Sequence, residues 1–408
     1  MTRPAALIVT MCFAEAVGMA GFSTFAALLP TFISEWGLTN TEAGWINSVF
    51  FLGYLSAVLI LVTLTDRFDP RRIYQLCMVL SIVATGAFAL AAVGFWSALG
   101  LRGLAGIGLA GTYMPGLKML SDRVPGPAQS RAVAFYTASF SIGSSGSYYF
   151  SGKIEHWLDW QWAFGLATAG PVLSLFIVSA LFSPAPPGAG PGEGVRLFNF
   201  LHVLRNRRTM GYILAYAAHN WELFGLRSWM VAFLVFGRRF HAGGAALLSP
   251  TTLAAMVNLV GVPSSILGNE FSARLGRRRV VVTVMTCSAL LAGVVGFSSG
   301  SSPLVVTLLF LAYGVTVTAD SASITAGALA EAPSGYRGTT MAVHSSIGFL
   351  GSFLGPLAVG IVLDLAGGRE NALAWGLGFA AMGVGAITGP LALGTLAGEP
   401  RPAPAQGR

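Results

Sequence analysis

Charged residues are scarce in this chain, and their scarcity excludes an ordinary water-soluble fold. Only 10% of its 408 residues are charged, against about 25% in typical soluble proteins. Hydrophobic residues make up 54%, and the mean hydropathy is +0.70. Glycine is abundant, with 52 residues, but it follows no three-residue period, which excludes a collagen-like fibre. This composition predicts an all-α membrane protein in which glycine permits close helix packing.

Cysteine is also scarce, and several motifs of other protein classes are missing. Cys12, Cys77 and Cys287 each stand alone in an apolar stretch, so we expect them to be packing residues. No GxxxxGK[ST] motif is present, which argues against ATP-driven transport. The N-terminal apolar run shows no small-residue cleavage site, so we expect a retained first span rather than a removed signal peptide. No cofactor is expected.

Long apolar stretches are plentiful. Twelve of them reach the roughly 20 residues that a membrane-spanning helix needs, whereas β-barrel strands would show short alternating patterns. A Pro/Gly-rich and then basic connection predicts an N-terminal six-helix bundle at 1–183, a linker at 184–208, a C-terminal six-helix bundle at 209–396 and a tail at 397–408. The predicted spans are 7–32, 44–65, 73–94, 97–119, 132–152, 161–183, 209–236, 250–270, 280–299, 303–330, 339–364 and 372–395.

The basic residues predict the orientation in the membrane. When alternate connections are assigned to opposite sides, eighteen of the 24 basic residues fall on one side and only four on the other. The remaining two, Arg102 and Arg227, lie inside spans. Because basic connections are retained in the cytoplasm, we expect both termini there and the protein in the plasma (inner) membrane. The net charge of +8 therefore reflects the membrane topology, and no nucleic-acid partner is expected. We expect a monomer that contacts the lipid bilayer.

The two predicted bundles resemble each other in sequence. A shift of 207 residues places Glu15-x-x-Gly18 of span 1 on Glu222-x-x-Gly225 of span 7. The same shift aligns arginines in the connections between spans 2 and 3 and between spans 8 and 9. Parallel six-helix repeats are the architecture of one large class of transporters, whose binding site lies where the repeats meet near the bilayer midplane.

The aligned connections carry a recognisable motif. Residues 65–72 read TDRFDPRR and residues 273–279 read ARLGRRR, and both resemble motif A, GxxxDRxGRR, of the major facilitator superfamily. The copies depart from it, with Val62 and Asp69 in place of glycine and Ala273 in place of aspartate. The resemblance implies twelve helices in two pseudo-symmetric bundles that rock, and a cytoplasmic charge latch that breaks during rocking. The gate residues implied are Asp66, Arg67, Arg71, Arg72, Arg274 and Arg278. The alternative, positive-inside anchoring, explains the arginines but not Asp66.

Span 4 carries a second motif, RGLAGIGLAG at 102–111, which resembles motif B, RxxxGxG, of the same family. Gly106 and Gly111 predict a smooth helix surface for a neighbour. A charge inside a span costs roughly 2.5–3.5 kcal/mol, so we expect Arg102 to face a cavity or a partner, with extension to the outer interface as the alternative. Span 5 lacks the glycine–proline pair of the antiporter signature, and Gly348–Pro356 of span 11 predicts a packing and kink segment.

Polar residues inside the spans are the candidates for solute or proton coupling. Glu15 and Glu222 fall at equivalent places of the repeats, and apolar surroundings favour the neutral carboxyl group, which suits reversible protonation. The alternative is a static ion pair. His219 shares a helix face with Glu222, and a proton relay is favoured over a metal site because no third ligand has suitable spacing. The full candidate set is Glu15, Arg102, His219, Glu222, Arg227, Asp320 and His344.

The sequence therefore predicts a secondary transporter and not an enzyme. It would move a small organic solute by alternating access with protons, and the two buried arginines favour an organic anion. The alternative is a proton-antiporting exporter of amphipathic or cationic compounds whose acidic residues contact the cargo. An intramembrane enzyme would need a metal or nucleophile cluster, and none is convincing here. A transporter-like sensor would usually carry a signalling extension, whereas the tail at 397–408 is too short to be a domain.

Overall fold

The computed structural model describes residues 4–65, 67–124, 127–184, 200–240 and 247–396, without the side chains of Pro127 and Ser130. Within these ranges the regular structure is entirely helical and forms twelve spans, as predicted. Eight of the described spans, two of which consist of a pair of consecutive helices, are long and apolar enough to cross a membrane. The spans are Pro4–Gly18 with Thr24–Ala27 and Leu29–Glu35 (span 1), Asn40–Leu64 (span 2), Pro70–Ala91 (span 3), Phe95–Arg123 (span 4), Pro127–Trp157 (span 5), Trp160–Ala167 with Ala169–Leu181 (span 6), Arg207–Gly237 (span 7), Pro250–Leu275 (span 8), Arg277–Gly296 (span 9), Pro303–Ala319 with Ser321–Ala330 (span 10), Arg337–Leu365 (span 11) and Ala372–Leu396 (span 12). A short helix, Phe200–Leu204, precedes span 7, and a 3-10 turn, Arg238–Phe240, follows it.

Span 1 is interrupted, so the prediction of one continuous helix over 7–32 is wrong. Its first helix ends at Gly18, and turns occupy 19–23 before the next helix begins. Span 5 satisfies the freed backbone groups: Ser147 Oγ accepts from the Ser23 amide at 3.0 Å and donates to the Ala20 carbonyl at 2.6 Å. Irregular backbone is tolerated at membrane depth when protein buries it in this way.

Glycines set the close packing inside each half, as the motif in span 4 predicted. A Cβ at Gly106 would collide with the Phe50 carbonyl of span 2, and one at Gly111 would collide with the Cys77 side chain of span 3. In span 11, Gly351 lies against the backbone of span 7 in the same manner. These close approaches hold the helices that carry the polar residues described below.

The two halves meet at the end of the bundle remote from the arginine-rich connections. Span 2 packs along span 11, and span 5 packs along span 8. Gly44 lies against the backbone of Pro356, and Gly152 lies against the Thr251 side chain. The Tyr148 hydroxyl also donates to the Arg227 carbonyl across this junction. We call this the closed end, and the end with the arginine-rich connections the basic end.

Candidate functional site

Glu15 lies in the last helical turn before the break in span 1. Its side chain is buried, and Tyr136 of span 5 donates to Glu15 Oε2 at 2.9 Å. The Tyr136 hydroxyl also lies 3.1 Å from the Tyr113 carbonyl oxygen. In the described part of the chain Glu15 Oε1 has no hydrogen-bond partner, and no basic side chain is within ion-pair distance of the carboxyl group.

Glu222 of span 7 has comparable surroundings in the C-terminal half. Ser288 Oγ donates to Glu222 Oε1 at 2.9 Å, and the Tyr313 hydroxyl donates to the same oxygen at 3.1 Å. Only 2% of Glu222 is exposed. Both repeats therefore bury a carboxyl group held by tyrosine, although Tyr136 belongs to span 5 and Tyr313 to span 10. These hydroxyl partners were not predicted, because a single Tyr or Ser in an apolar span gives no signal of its own.

His219 pairs with Asp320 and not directly with Glu222. Its Nδ1 lies 2.8 Å from Asp320 Oδ1, and both side chains are nearly inaccessible, with 2% and 3% exposed. The Tyr216 ring stacks on His344 at 3.9 Å between centroids and lies nearly parallel to His219 at 5.9 Å. The structure thus brings three of the predicted residues, His219, Asp320 and His344, into one buried group of the C-terminal half.

Arg102 points into the protein rather than toward its surface. The residue is 5% exposed, and its guanidinium group covers the Phe50 ring at 4.5 Å from the centroid. Its Nη1 and Nη2 atoms approach the Phe22 carbonyl oxygen, in the break of span 1, at 3.4 and 3.5 Å. The broken helix therefore supplies a backbone acceptor to the buried arginine.

Arg227 is the corresponding cation of the C-terminal half. Its guanidinium group lies 5.2 Å from the centroid of Phe224. The residue as a whole is half-buried, but the Nε atom of the guanidinium group is fully buried. Both Arg102 and Arg227 lie within electrostatic range of Tyr148. Among the described residues neither arginine forms an ion pair with a carboxylate.

Aromatic rings connect the two arginines across the junction of the halves. Phe50, which Arg102 covers, lies 5.4 Å from Phe51, and Phe51 lies 4.4 Å from Phe224, which Arg227 covers. The face of an aromatic ring attracts a cation. The arrangement keeps both guanidinium groups buried near the meeting point of the halves.

The predicted gate residues lie at the basic end, apart from Asp66, which is outside the described residues. Arg71 donates to the Ser179 carbonyl of span 6 at 2.8 Å, and Arg278 donates to the Gly394 carbonyl of span 12 at 3.2 Å. Arg274 pairs with Glu270 of its own helix at 2.7 Å. Arg67 and Arg72 are exposed. The gate role stays a prediction. Within the described ranges no three His, Cys, Asp or Glu side chains form a metal-binding group.

Comparison with known proteins decides the family. The family model described as Major Facilitator Superfamily matches residues 11–356. The chain belongs to the major facilitator superfamily. It is 24% identical over 389 residues to protein spinster homolog 1 of Homo sapiens, in a match that covers 89% of this chain and 73% of that protein. The family assignment makes it a multi-pass membrane transporter of small molecules and not an enzyme.

Solved structures of superfamily members share its fold. A bacterial homologue of the human lysosomal transporter spinster, in an inward-facing and occupied conformation, superposes with a TM-score of 0.75 at 17% identity, over 97% of this chain and 96% of that one. A point mutant of the nucleoside transporter NupG gives a TM-score of 0.79 at 11% identity, over 96% of this chain and 99% of that one. The twelve-helix fold expected from motifs A and B is confirmed.

Proposed function

We propose that this transporter moves a small organic anion by alternating access, with coupling to protons. The observation that carries the proposal is the pair of buried guanidinium groups, one from each half, that lack a carboxylate partner among the described residues and share the vicinity of Tyr148. A buried charge without a counter-ion is costly. An anionic solute would supply the missing partner, since guanidinium groups bind carboxylate and phosphate groups through paired hydrogen bonds.

Proton coupling is supported by the buried acidic residues. Glu15 and Glu222 contact neutral hydroxyl donors rather than cations, so taking up a proton removes a buried charge without breaking an ion pair. His219 and Asp320 provide a second protonatable pair beside Glu222 in the same half. Movement of either half would change the access of these groups to water, and solute movement would thereby be coupled to proton uptake and release.

The packing of the halves supports an inward-open state. With the basic end in the cytoplasm, the closed end faces outward, and the solute path opens to the cytoplasm.

The second candidate is a proton-antiporting exporter of amphipathic or cationic compounds. The free Oε1 of Glu15 favours it, because a carboxylate oxygen without a partner in the described part of the chain can contact a cationic cargo.

The experiment that tests this function uses the purified protein in liposomes on a solid-supported membrane. Charge movement is recorded during concentration jumps of pooled organic anions and of pooled amphipathic cations, with and without a pH gradient. We expect an anion response that depends on the gradient and that Arg227→Gln lowers at least roughly tenfold. Arg369→Gln, a change at an exposed arginine, is the control and should leave the response intact. A response confined to cations would refute the proposed solute and favour the exporter.

A further inference from the structure

Asp364, near the last turn of span 11, bonds the first turn of span 2 across the junction of the halves. Its Oδ1 accepts from the Asn40 amide at 3.1 Å and from Asn40 Nδ2 at 2.7 Å. Its Oδ2 accepts from the Thr41 amide at 2.7 Å. One carboxylate of the C-terminal half thus receives three hydrogen bonds from two consecutive residues of the N-terminal half.

Span 2 is capped in a way that leaves these donors for the other half. Thr39 Oγ1 accepts from the Glu42 amide at 3.1 Å, and Glu42 Oε2 accepts from the Thr39 amide at 2.9 Å. This capping box satisfies two backbone donors within the span. The amides of Asn40 and Thr41 have no acceptor in their own helix, because the first amides of any helix lack one. A carboxylate is a favoured acceptor there, since its charge complements the helix N-terminus.

The equivalent junction between spans 5 and 8 differs within the described residues. Ser249 caps span 8 from within, by accepting from the Thr252 amide at 3.1 Å. The acidic residue near the end of span 5, Glu155, accepts from Thr31 Oγ1 at 2.8 Å inside the N-terminal half. Among the described residues, a carboxylate therefore joins the two halves at the junction of spans 2 and 11 but not at the junction of spans 5 and 8.

We propose that Asp364 is a positioning residue for transport, which holds the closed end shut by completing the first turn of span 2. Opening of this end separates span 2 from span 11, breaks the three hydrogen bonds, and leaves the amides of Asn40 and Thr41 to water. The strength of this contact then determines the fraction of molecules in which the two halves separate at this end. The inference rests on the rocking of the halves in the proposed function, and it is independent of the solute and of protons.

The test measures the closed end directly in the full-length protein. Cys12, Cys77 and Cys287 are replaced by alanine, and spin labels are attached at Leu158→Cys and Ala372→Cys, exposed positions of the two halves near this end. Pulsed electron–electron double resonance in nanodiscs then gives the distribution of distances between the two spin labels. We expect Asp364→Asn to raise the long-distance population roughly fivefold, because a neutral, partly solvated acceptor holds the amides less strongly. Asp364→Glu, which keeps the charge, should restore most of the short-distance population.

A second variant removes donors instead of the acceptor. Asn40→Pro eliminates both the amide and the side-chain donor of Asn40, while proline suits the first position of a helix that follows an extended residue such as Thr39. It should raise the long-distance population as well. Glu155→Gln is the matched control and should leave the distribution unchanged. If folded Asp364→Asn and Asn40→Pro proteins both keep the parental distribution, Asp364 does not hold this end. Because no solute or pH gradient is used, failure of the proposed anion or proton coupling leaves this result interpretable.

Discussion

At the scale of single residues, the buried carboxyl groups differ from those of an ordinary ion pair. Glu222 receives hydrogen bonds from Ser288 and Tyr313 at one oxygen, and Glu15 receives one from Tyr136. Hydroxyl donors can bond either the charged or the neutral carboxyl group, because the neutral form keeps acceptor capacity. Such a site can change its protonation state without losing its structural contacts, which is what a proton-coupling residue requires.

Glu222→Gln tests this idea. Glutamine keeps the volume and an acceptor for Ser288 and Tyr313, but it cannot take up a proton. We expect folded protein whose transport of the responding anion is no longer accelerated by a pH gradient, whereas exchange without a gradient persists. The measurement is radiolabelled flux into proteoliposomes under both conditions. Asp122→Asn, which alters an exposed pair with Lys118, is the control. Undiminished gradient-driven flux in Glu222→Gln would end the assignment of Glu222 to proton coupling.

Charged residues were predictable from the sequence, and their partners were not. Glu15, Glu222 and Arg102 stand out because a charge in an apolar stretch is rare and costly. Tyr136 and Tyr313 do not stand out, since their hydroxyls become important only through the rotation and tilt of spans that are distant in sequence. The pairing of His219 with Asp320 similarly connects two spans and could not be read from the spacing of His219 and Glu222.

At the scale of elements, the break in span 1 is maintained by span 5. Ser147 contributes one hydroxyl to both the Ser23 amide and the Ala20 carbonyl, and Ser144 Oγ lies 2.9 Å from Ser23 Oγ. The sequence of span 1 is apolar through the break, so the length of the apolar stretch predicted one helix. The acceptors and donors that stabilise the break lie more than 100 residues away in the sequence, and the local helix propensity of span 1 does not depend on them.

Ser147→Ala is therefore expected to destabilise the N-terminal half. It leaves the buried Ser23 amide without an acceptor, at a cost of about 2 kcal/mol, and we expect a thermal unfolding midpoint lower by a few degrees. Ser145→Ala provides a matched control in the same helix, because Ser145 Oγ is buried with no hydrogen-bond partner among the described residues. The measurement is thermal unfolding in detergent followed by tryptophan fluorescence. Equal midpoints for the two variants would show that Ser147 does not support the break.

At the scale of the whole molecule, the sequence predicts the two repeated halves but does not predict which end of the bundle is closed. The twelve spans, the two halves and the superfamily were predictable, because apolar length, the shift of 207 residues and motifs A and B can all be read from the sequence itself. Which end is closed was not predictable, because a transporter that rocks has one sequence for both states, separated by only a few kcal/mol. The contacts at Asp364 and Tyr148 identify the end at which the halves meet.

The basic connections predict the orientation of the closed end in the membrane, and this prediction can be tested in intact cells. In the background without Cys12, Cys77 and Cys287, Leu158→Cys lies at the closed end and Ser183→Cys lies at the basic end. Because basic connections are retained in the cytoplasm, we expect a membrane-impermeant maleimide to label Leu158→Cys in intact bacterial cells and Ser183→Cys only after permeabilisation. The fraction of each variant that is labelled, read by mass shift on a gel, gives the answer. Labelling of Ser183→Cys from outside in intact cells would invert the topology, and the state described as inward-open would then be outward-open.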